Sequence, residues 1–476
     1  MGKIVQTLWT GQKCLVENSF GWLEPQYHLM AWALSCLMLK ENYENVEFYT
    51  DSEGAKVLID RIGLPYTDVK ICYDNLNIPE PHWAYSKMLT YSMQEEPFIH
   101  VDGDIFISKM LAVDIDSSGL IAQNEEYGTD YYKNIMDGLH TVDMKMPEYL
   151  HAELANQSIG SYNAGVLGGC DIDFIQRYCE NAFRIIKDNG LDDVNSGRIN
   201  GNYNLMFEQI LFYAMVKVEN KNVTTLFGSR LCDNGYTYND FCDFLNVDHT
   251  PLLHLLGGHK RNMKACLLLA KTLLDRYPDY FWRIADIFGN RHPRLSGKKI
   301  SDNSELSVET CIARYSDWLE KQKRKWNEIP LEVLKNQDEK SAHFIDFFNS
   351  NEKERGEYIL AVNPYMEMFS IPAEWPVKAR LLLMAKLYEN EINNKHDIAC
   401  VPTLVNGGYR ETPLNDMCFN ILAILRQEQS FSELCESIKS CVSERLRTDK
   451  KLIRDNIMDA MELLMITGVV YVKKKK

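Results

Sequence analysis

Two aspartates flank a single glycine in His100-Val101-Asp102-Gly103-Asp104-Ile105-Phe106-Ile107, directly after a short apolar run. Carboxylates at the carboxyl end of a strand in an α/β sheet point into the crevice where such folds bind ligands. Two like charges held there are costly unless a cation lies between them. Mg²⁺ or Mn²⁺ would resolve that cost, because both are hard ions that also take diphosphate oxygens. A second polar element, His254-Leu255-Leu256-Gly257-Gly258-His259-Lys260, again follows an apolar run. There a histidine can complete a metal shell with Asp102 and Asp104, and Lys260 can hold a phosphate as a point charge. The bland alternative is an Asp-x-Asp turn and a histidine satisfied in a core, and spacing alone leaves both open.

The elements that must position these groups are legible as β-rich runs at 3–9, 46–50, 69–71, 98–101, 120–122, 164–168, 223–226 and 252–256, separated by longer amphipathic stretches. That alternation predicts an α/β domain with a mostly parallel sheet over residues 1–290. Pro25 opens a helix between the first two strands, and a helix over 82–96 feeds the strand that ends in the acidic pair. A change of texture at His292-Pro293-Arg294 marks a boundary, followed by a helical connector over 291–395. In the tail, 396–476, Leu414, Cys418, Ile421, Leu422 and Leu425 follow helical spacing, and Ser430 with Glu433 forms a capping box. Ile453, Ile457, Met461 and Leu464 make a third stripe, closed by Gly468 and the β-like run Val469-Val470-Tyr471-Val472. Helix, helix, helix and short strand predict a small winged-helix-like α+β domain.

Composition narrows the function classes. The 476 residues are 45% hydrophobic and 25% charged, average for a folded chain of several domains. Fifty-two basic against 67 acidic residues give a net charge of -15, which disfavours nucleic acid and anionic membranes as partners. No apolar run reaches the 18 or so residues of a membrane span, and residues 1–12 read as a strand rather than a signal peptide. The 13 cysteines are scattered with no Cys-x-x-Cys pair, which suits thiols packed as small apolar groups in a reducing compartment. A cytoplasmic protein is the expectation. No phosphate-loop, His-Glu-x-x-His or Gly-x-Ser-x-Gly motif occurs, so hydrolase readings lose support.

Four segments, in order, resemble a known group: Lys87-Met88 ahead of Asp102-Gly103-Asp104, then Asn163-Ala164-Gly165-Val166, then Glu208-Gln209, then His254 through Lys260. They are similar to the GT-A glycosyltransferases, specifically retaining glycosyltransferase family 8, the group of glycogenin and bacterial galactosyltransferases. The resemblance covers residues 1–290 and implies a Rossmann-like GT-A fold with Mn²⁺ (or Mg²⁺) on Asp102, Asp104 and His254. It further implies a nucleotide sugar, UDP-linked, whose diphosphate meets Lys260 beside Asp102 and Gly257. Lys87, Asn163, Glu208 and Gln209 would surround the donor sugar and the reaction centre. Two departures bear on donor and acceptor identity: Arg261-Asn262 follows the lysine where the family has Pro-Trp, and Glu208 stands where it has aspartate.

Gln209 is too poor a nucleophile for a double displacement, so retention implies attack from the leaving-group side. The aromatic and acidic stretches 124–132 and 236–240 read as solvated turns or as acceptor-side loops. The tail resembles the winged-helix peptide-binding domains of ribosomal-peptide modification systems, through Val401-Pro402-Thr403-Leu404 and Tyr409 to Asn415. That implies a peptide or protein acceptor captured as an added strand. From His396 onward there are 12 Lys/Arg, four of them the terminal lysines 473–476, and 11 Asp/Glu, and without that run the segment is net acidic, whereas a DNA reader needs a clustered basic face. The rival readings are a nucleotidyltransferase, for which Thr10-Gly11-Gln12-Lys13 is a poor phosphate loop, and a non-catalytic scaffold that binds sugar nucleotides or peptides.

Overall fold

The computed structural model describes residues 2–127, 130–139, 143–193, 202–227, 231–232, 252–288, 307–371, 397–404, 408–441 and 450–473, with 243, 244, 247, 250, 375 and 379. The 236–240 stretch and the boundary at 292–294 lie outside them. The chain divides into two compact units, Met1–Ala265 and Cys266–Lys476.

The strands of the first unit are β1 Lys3–Leu8, β2 Val46–Thr50, β3 Asp68–Ile71, β4 Phe98–Val101, β5 Ile105–Phe106, β6 Leu120–Ala122, β7 Glu125–Tyr127, β8 Gly160–Tyr162, β9 Val166–Gly169, β10 Val223–Thr225, β11 Leu231–Cys232 and β12 Leu253–His254. Seven form the central sheet, in the order β10-β6-β9-β4-β1-β2-β3. β1 pairs in parallel with β2 and β4, β2 with β3, and β6 with β10, while β9 runs antiparallel to β4 and β6. The unit is therefore the mixed α/β fold with a mostly parallel sheet that the alternation predicts. The chain steps outward from β1 to β2 and β3, then returns to the other side of β1 as β4. That reversal opens a crevice at the carboxyl ends of β1 and β4, and Asp102 is the residue after β4.

β2 and β4 are buried along their whole length, Glu47 and His100 included. Two expected strands are shorter than the β-rich runs suggest. The run at 164–168 becomes a strand only from Val166, because the Asn163 side chain accepts from the Gly165 N–H at 3.0 Å and holds a turn. The run at 252–256 is a strand only at Leu253–His254, since Gly257 turns the chain with φ +44°. Helix Pro25–Asn42 has every residue from Tyr27 to Leu39 buried, so it carries no polar face. The helix expected over 82–96 is a 3₁₀ turn, Glu80–His82, followed by an α-helix over Ala84–Ser92.

In the second unit, helices Val308–Trp326 and Leu331–Ala342 precede β13 Ile359–Val362, β14 Glu367–Ser370, β15 Asp397–Thr403 and β16 Gly408–Leu414. Helix Asp416–Ile424, β17 Gln429–Ser430, helices Phe431–Cys441 and Lys450–Ile466, and β18 Val470–Lys473 complete it. The sheets are β17-β13-β18 and β14-β15-β16, each antiparallel. Residues 291–395 are thus more than helical, because β13 and β14 pair with strands of the tail. The capping box forms: Ser430 donates its N–H to Glu433 Oε2 at 2.8 Å, and the Glu433 N–H reaches Ser430 Oγ at 3.3 Å. Gly468 takes φ +75° just ahead of β18. Ten cysteines among the described residues are free, and no helix among the described residues is long and apolar enough to cross a membrane.

Candidate active site

The turn after β4 is tied down by backbone bonds: the Asp102 N–H donates to Gly165 O at 2.9 Å and the Ile105 N–H to Asp102 O at 3.1 Å. β5 then pairs antiparallel with β12, in the register Ile105 to His254 and Phe106 to Leu253. The Leu255 N–H closes the ribbon on Asp104 O at 3.1 Å. This two-residue ribbon brings His254 beside the acidic turn. One ligand atom from each of Asp102, Asp104 and His254 lies within 4.8 Å of the other two.

The imidazole is oriented by a group the motifs do not reveal. His254 Nδ1 donates to Gln123 Oε1 at 2.8 Å, since an amide oxygen can only accept, and Nε2 lies 3.5 Å from Asp104 Oδ1. Gly165 leaves the room for this. A Cβ there would lie 2.5 Å from His254 Cε1 and 2.8 Å from Gln123 Oε1.

Charge is distributed along a buried chain. Lys87, 4% exposed, sits between Asp102 Oδ1 at 2.9 Å and Glu208 Oε1 at 2.7 Å, and also donates to Ala164 O at 3.2 Å. Burial lifts the Asp102 and Glu208 carboxyls above their ordinary range, and Lys87 only partly offsets it. Burial acts the same way on Asp104, but Lys260 and His254 beside it more than compensate and hold that carboxyl well below the usual range. Burial would lower the Lys87 ammonium, yet Asp102 and Glu208 outweigh it and raise its pKa. Lys260 is ion-paired to Asp104 Oδ2. It stands on the turn Gly257–Arg261, and its carbonyl accepts from the Leu23 N–H at 3.0 Å. Above these groups lies a cleft of about 570 Å³, with Trp9, Thr10, Trp22 and Trp83 in its walls. That volume suits a small-molecule ligand.

Glu208 and Gln209 share the wide π-helical turn Leu205–Ile210 and serve different neighbours. Glu208 faces Lys87, whereas the Gln209 side-chain amide lies 2.9 Å from the Tyr132 hydroxyl. Asn163 donates to Glu126 Oε1 at 2.9 Å.

Residues 1–287 match DUF6734, a family of unknown function. The chain belongs to this family. No curated protein matches it. Among solved structures, this DUF6734 member is similar to mouse xyloside xylosyltransferase 1 in its apo form, at 13% identity over 53% of this chain and 96% of that one, with a TM-score of 0.29. It is also similar to the glycosyltransferase GlyE of Streptococcus pneumoniae TIGR4, at 10% identity over 56% of this chain and 62% of that one, TM-score 0.25. A third is the galactosyltransferase LgtC in complex with donor and acceptor sugar analogs, at 13% identity over 43% of this chain and 70% of that one, TM-score 0.23.

Sequence reasoning missed two further site residues of this DUF6734 member. Gln123 directly follows β6. Glu126, within the stretch read as a solvated turn or an acceptor-side loop, is only 2% exposed. It lies on β7 and bonds Asn163, the Tyr132 hydroxyl and Ser161 Oγ, the last at 3.3 Å. The solvated reading is therefore corrected for Glu126. The polar signal in the sequence was present, but a strand of three residues is too short to show which face it buries.

Proposed function

We propose that this chain is a metal-dependent glycosyltransferase of the family 8 type, moving a sugar from a UDP-linked donor, with retention, to a peptide or protein acceptor. The observation that carries the reading is the convergence of Asp102, Asp104 and His254 at the carboxyl-end crevice of the sheet. Two metal–oxygen bonds of about 2.1 Å span roughly 4.2 Å, so side-chain shifts of under about 1 Å gather all three atoms into one shell. Two carboxylate oxygens and a neutral imidazole nitrogen suit Mn²⁺ or Mg²⁺. When bound, the cation supplies Lewis-acid stabilisation of the departing diphosphate.

The chain's own residues supply the rest. Lys260, carried on the turn opened by Gly257, exchanges Asp104 for a diphosphate oxygen. Lys87 fixes Asp102 and is itself held by Glu208. Asn163 and Gln209, steadied by Glu126 and Tyr132, offer amide groups to the donor sugar. The acceptor oxygen bonds to the anomeric carbon as the bond from that carbon to the diphosphate oxygen breaks, through an oxocarbenium-like state on the same face. The acceptor proton passes to a diphosphate oxygen.

A panel of UDP-sugars incubated with Mn²⁺ tests this directly. At least one is expected to release UDP, and product NMR is expected to show the donor's own anomeric configuration. Donor binding without turnover would leave a sugar-nucleotide scaffold in its place, and the opposite anomer would remove the same-face route. Removing the acceptor of the His254 Nδ1–H with Gln123→Leu is expected to weaken Mn²⁺ affinity by about 10–100-fold, read by the paramagnetic signal of free Mn²⁺. Unchanged affinity would deny His254 a ligand role.

The peptide part of the proposal rests on the tail, where the helices after β16 and the strand β18 follow the order of a winged helix and the charge is balanced. Tethering a peptide to the same chain makes its encounter with the catalytic groups effectively intramolecular. Calorimetry of the full chain is expected to detect candidate leader peptides and not duplex DNA; the reverse would exchange the two partners.

A further inference from the structure

The helix Pro25–Asn42 presents one buried imidazole that the mechanism does not use. His28 is 5% exposed and lines the same cleft as Asp104 and Lys260. Its Nε2 accepts from Trp32 Nε1 at 2.9 Å, and an indole nitrogen can only donate. The imidazole proton is therefore fixed on Nδ1. That N–H has no hydrogen-bond partner among the described residues. Burial, with the Lys260 ammonium adding to it, pushes the His28 pKa down to about 3, so the ring is neutral.

Two neighbours keep the ring in place. Phe20 lies against it with ring centroids 4.8 Å apart. Trp32 in turn packs on the acidic turn, where a Cβ on Gly103 would fall 2.5 Å from Trp32 Cε2. The glycine of Asp102-Gly103-Asp104 thus makes room for the indole that sets the tautomer of His28. A buried donor left without an acceptor is costly, and here it belongs to a ring that lines the same cleft as the Lys260 cation.

We propose that His28 is a ligand-binding residue whose Nδ1–H is donated to an oxygen of the bound diphosphate, alongside Lys260. This rests on the glycosyltransferase reading, because it takes a nucleoside diphosphate as the ligand.

Calorimetry of the full chain with Mn²⁺ alone, Mn²⁺ with inorganic pyrophosphate, and Mn²⁺ with UDP tests it. His28→Ala is expected to weaken both diphosphates by about 10–100-fold, the value of a hydrogen bond to a charged group, and to leave Mn²⁺ alone within about twofold. His28→Asn, whose amide nitrogen falls near the position of Nδ1, is expected to restore most of the affinity. Should the alanine variant fail to fold, His28→Phe keeps the ring packing, lacks the donor and is expected to show the same loss. Diphosphate binding by these variants equal to that of the parent chain overturns the proposal. So does an equal loss of Mn²⁺ alone, or no rescue by asparagine, since either outcome marks a packing role. A parent chain that binds Mn²⁺ but neither diphosphate overturns the glycosyltransferase reading itself and this proposal with it.

Discussion

Replacing Asp104 by asparagine is expected to abolish Mn²⁺ binding at micromolar metal and to lower metal-dependent release of UDP by about 10³-fold or more. A thousandfold loss is about 4 kcal/mol of transition-state stabilisation, the order expected when a preorganised charge is removed from a developing anion. Asp104 is the residue of choice because three groups converge on it: His254 at 3.5 Å, the Lys260 ammonium, and through the β5–β12 ribbon the Leu255 N–H. The amide keeps the shape of the side chain and removes only the charge, so the thermal midpoint is expected to move far less than activity does. Asp102→Asn is expected to give the same loss of metal binding. Turnover by either variant at more than a tenth of the parent rate would detach the acidic turn from the chemistry.

The second large effect falls on stability. Lys87→Met strips the shared counter-ion from Asp102 and Glu208, leaving two carboxylates in a site where Glu208 is wholly buried. Breaking a buried pair by removing one partner costs about 3–5 kcal/mol, measurable as a fall in the urea midpoint of the first unit. The sign of its pH dependence follows from the carboxyls. Both already stand above their ordinary range, and loss of the ammonium raises them further. A carboxyl raised in the folded state stabilises below its unfolded pKa and loses that contribution as pH rises through the folded value. The deficit of Lys87→Met is therefore larger at pH 8 than at pH 5. Adding Glu208→Gln removes one of the stranded charges and is expected to recover at least a third of the loss, whereas independent additive costs would show that Lys87 and Glu208 are not coupled.

Much of this architecture can be read without coordinates. β2, β4 and β6 occupy the residues that their β-rich runs mark, 46–50, 98–101 and 120–122. The acidic pair follows β4, as carboxylates at a strand end should. These features are legible because strand patterning and turn chemistry act over a few neighbouring residues. The ends of the shorter strands are not legible. β9 starts two residues late because the Asn163 side chain bonds forward to the Gly165 N–H, and β12 shrinks to two residues because Gly257 turns the chain.

The partners within the site are less legible still. His254 and Gln123 are 131 residues apart and meet at 2.8 Å. The register of β5 on β12 decides that meeting, and a register shift of one residue would send His254 to the other face of the ribbon. Glu126 and Tyr132 carry ordinary polar side chains whose burial depends on how short strands are covered. The helix of His28 and Trp32 is buried on every side, so periodicity assigns no face to the imidazole.

The sequence by itself determined which side chains were available: two carboxylates around a glycine at a strand end, a histidine and a lysine after another apolar run, and a capped three-helix tail. Only the tertiary structure decided which of them share a site and in what state. It seats Lys87 between two acids, turns His254 Nδ1 to Gln123, fixes the proton of His28 through Trp32, and buries Glu126. The reason is physical: local propensities choose elements, whereas charge states and tautomers are set by desolvation and by neighbours that arrive from distant parts of the chain.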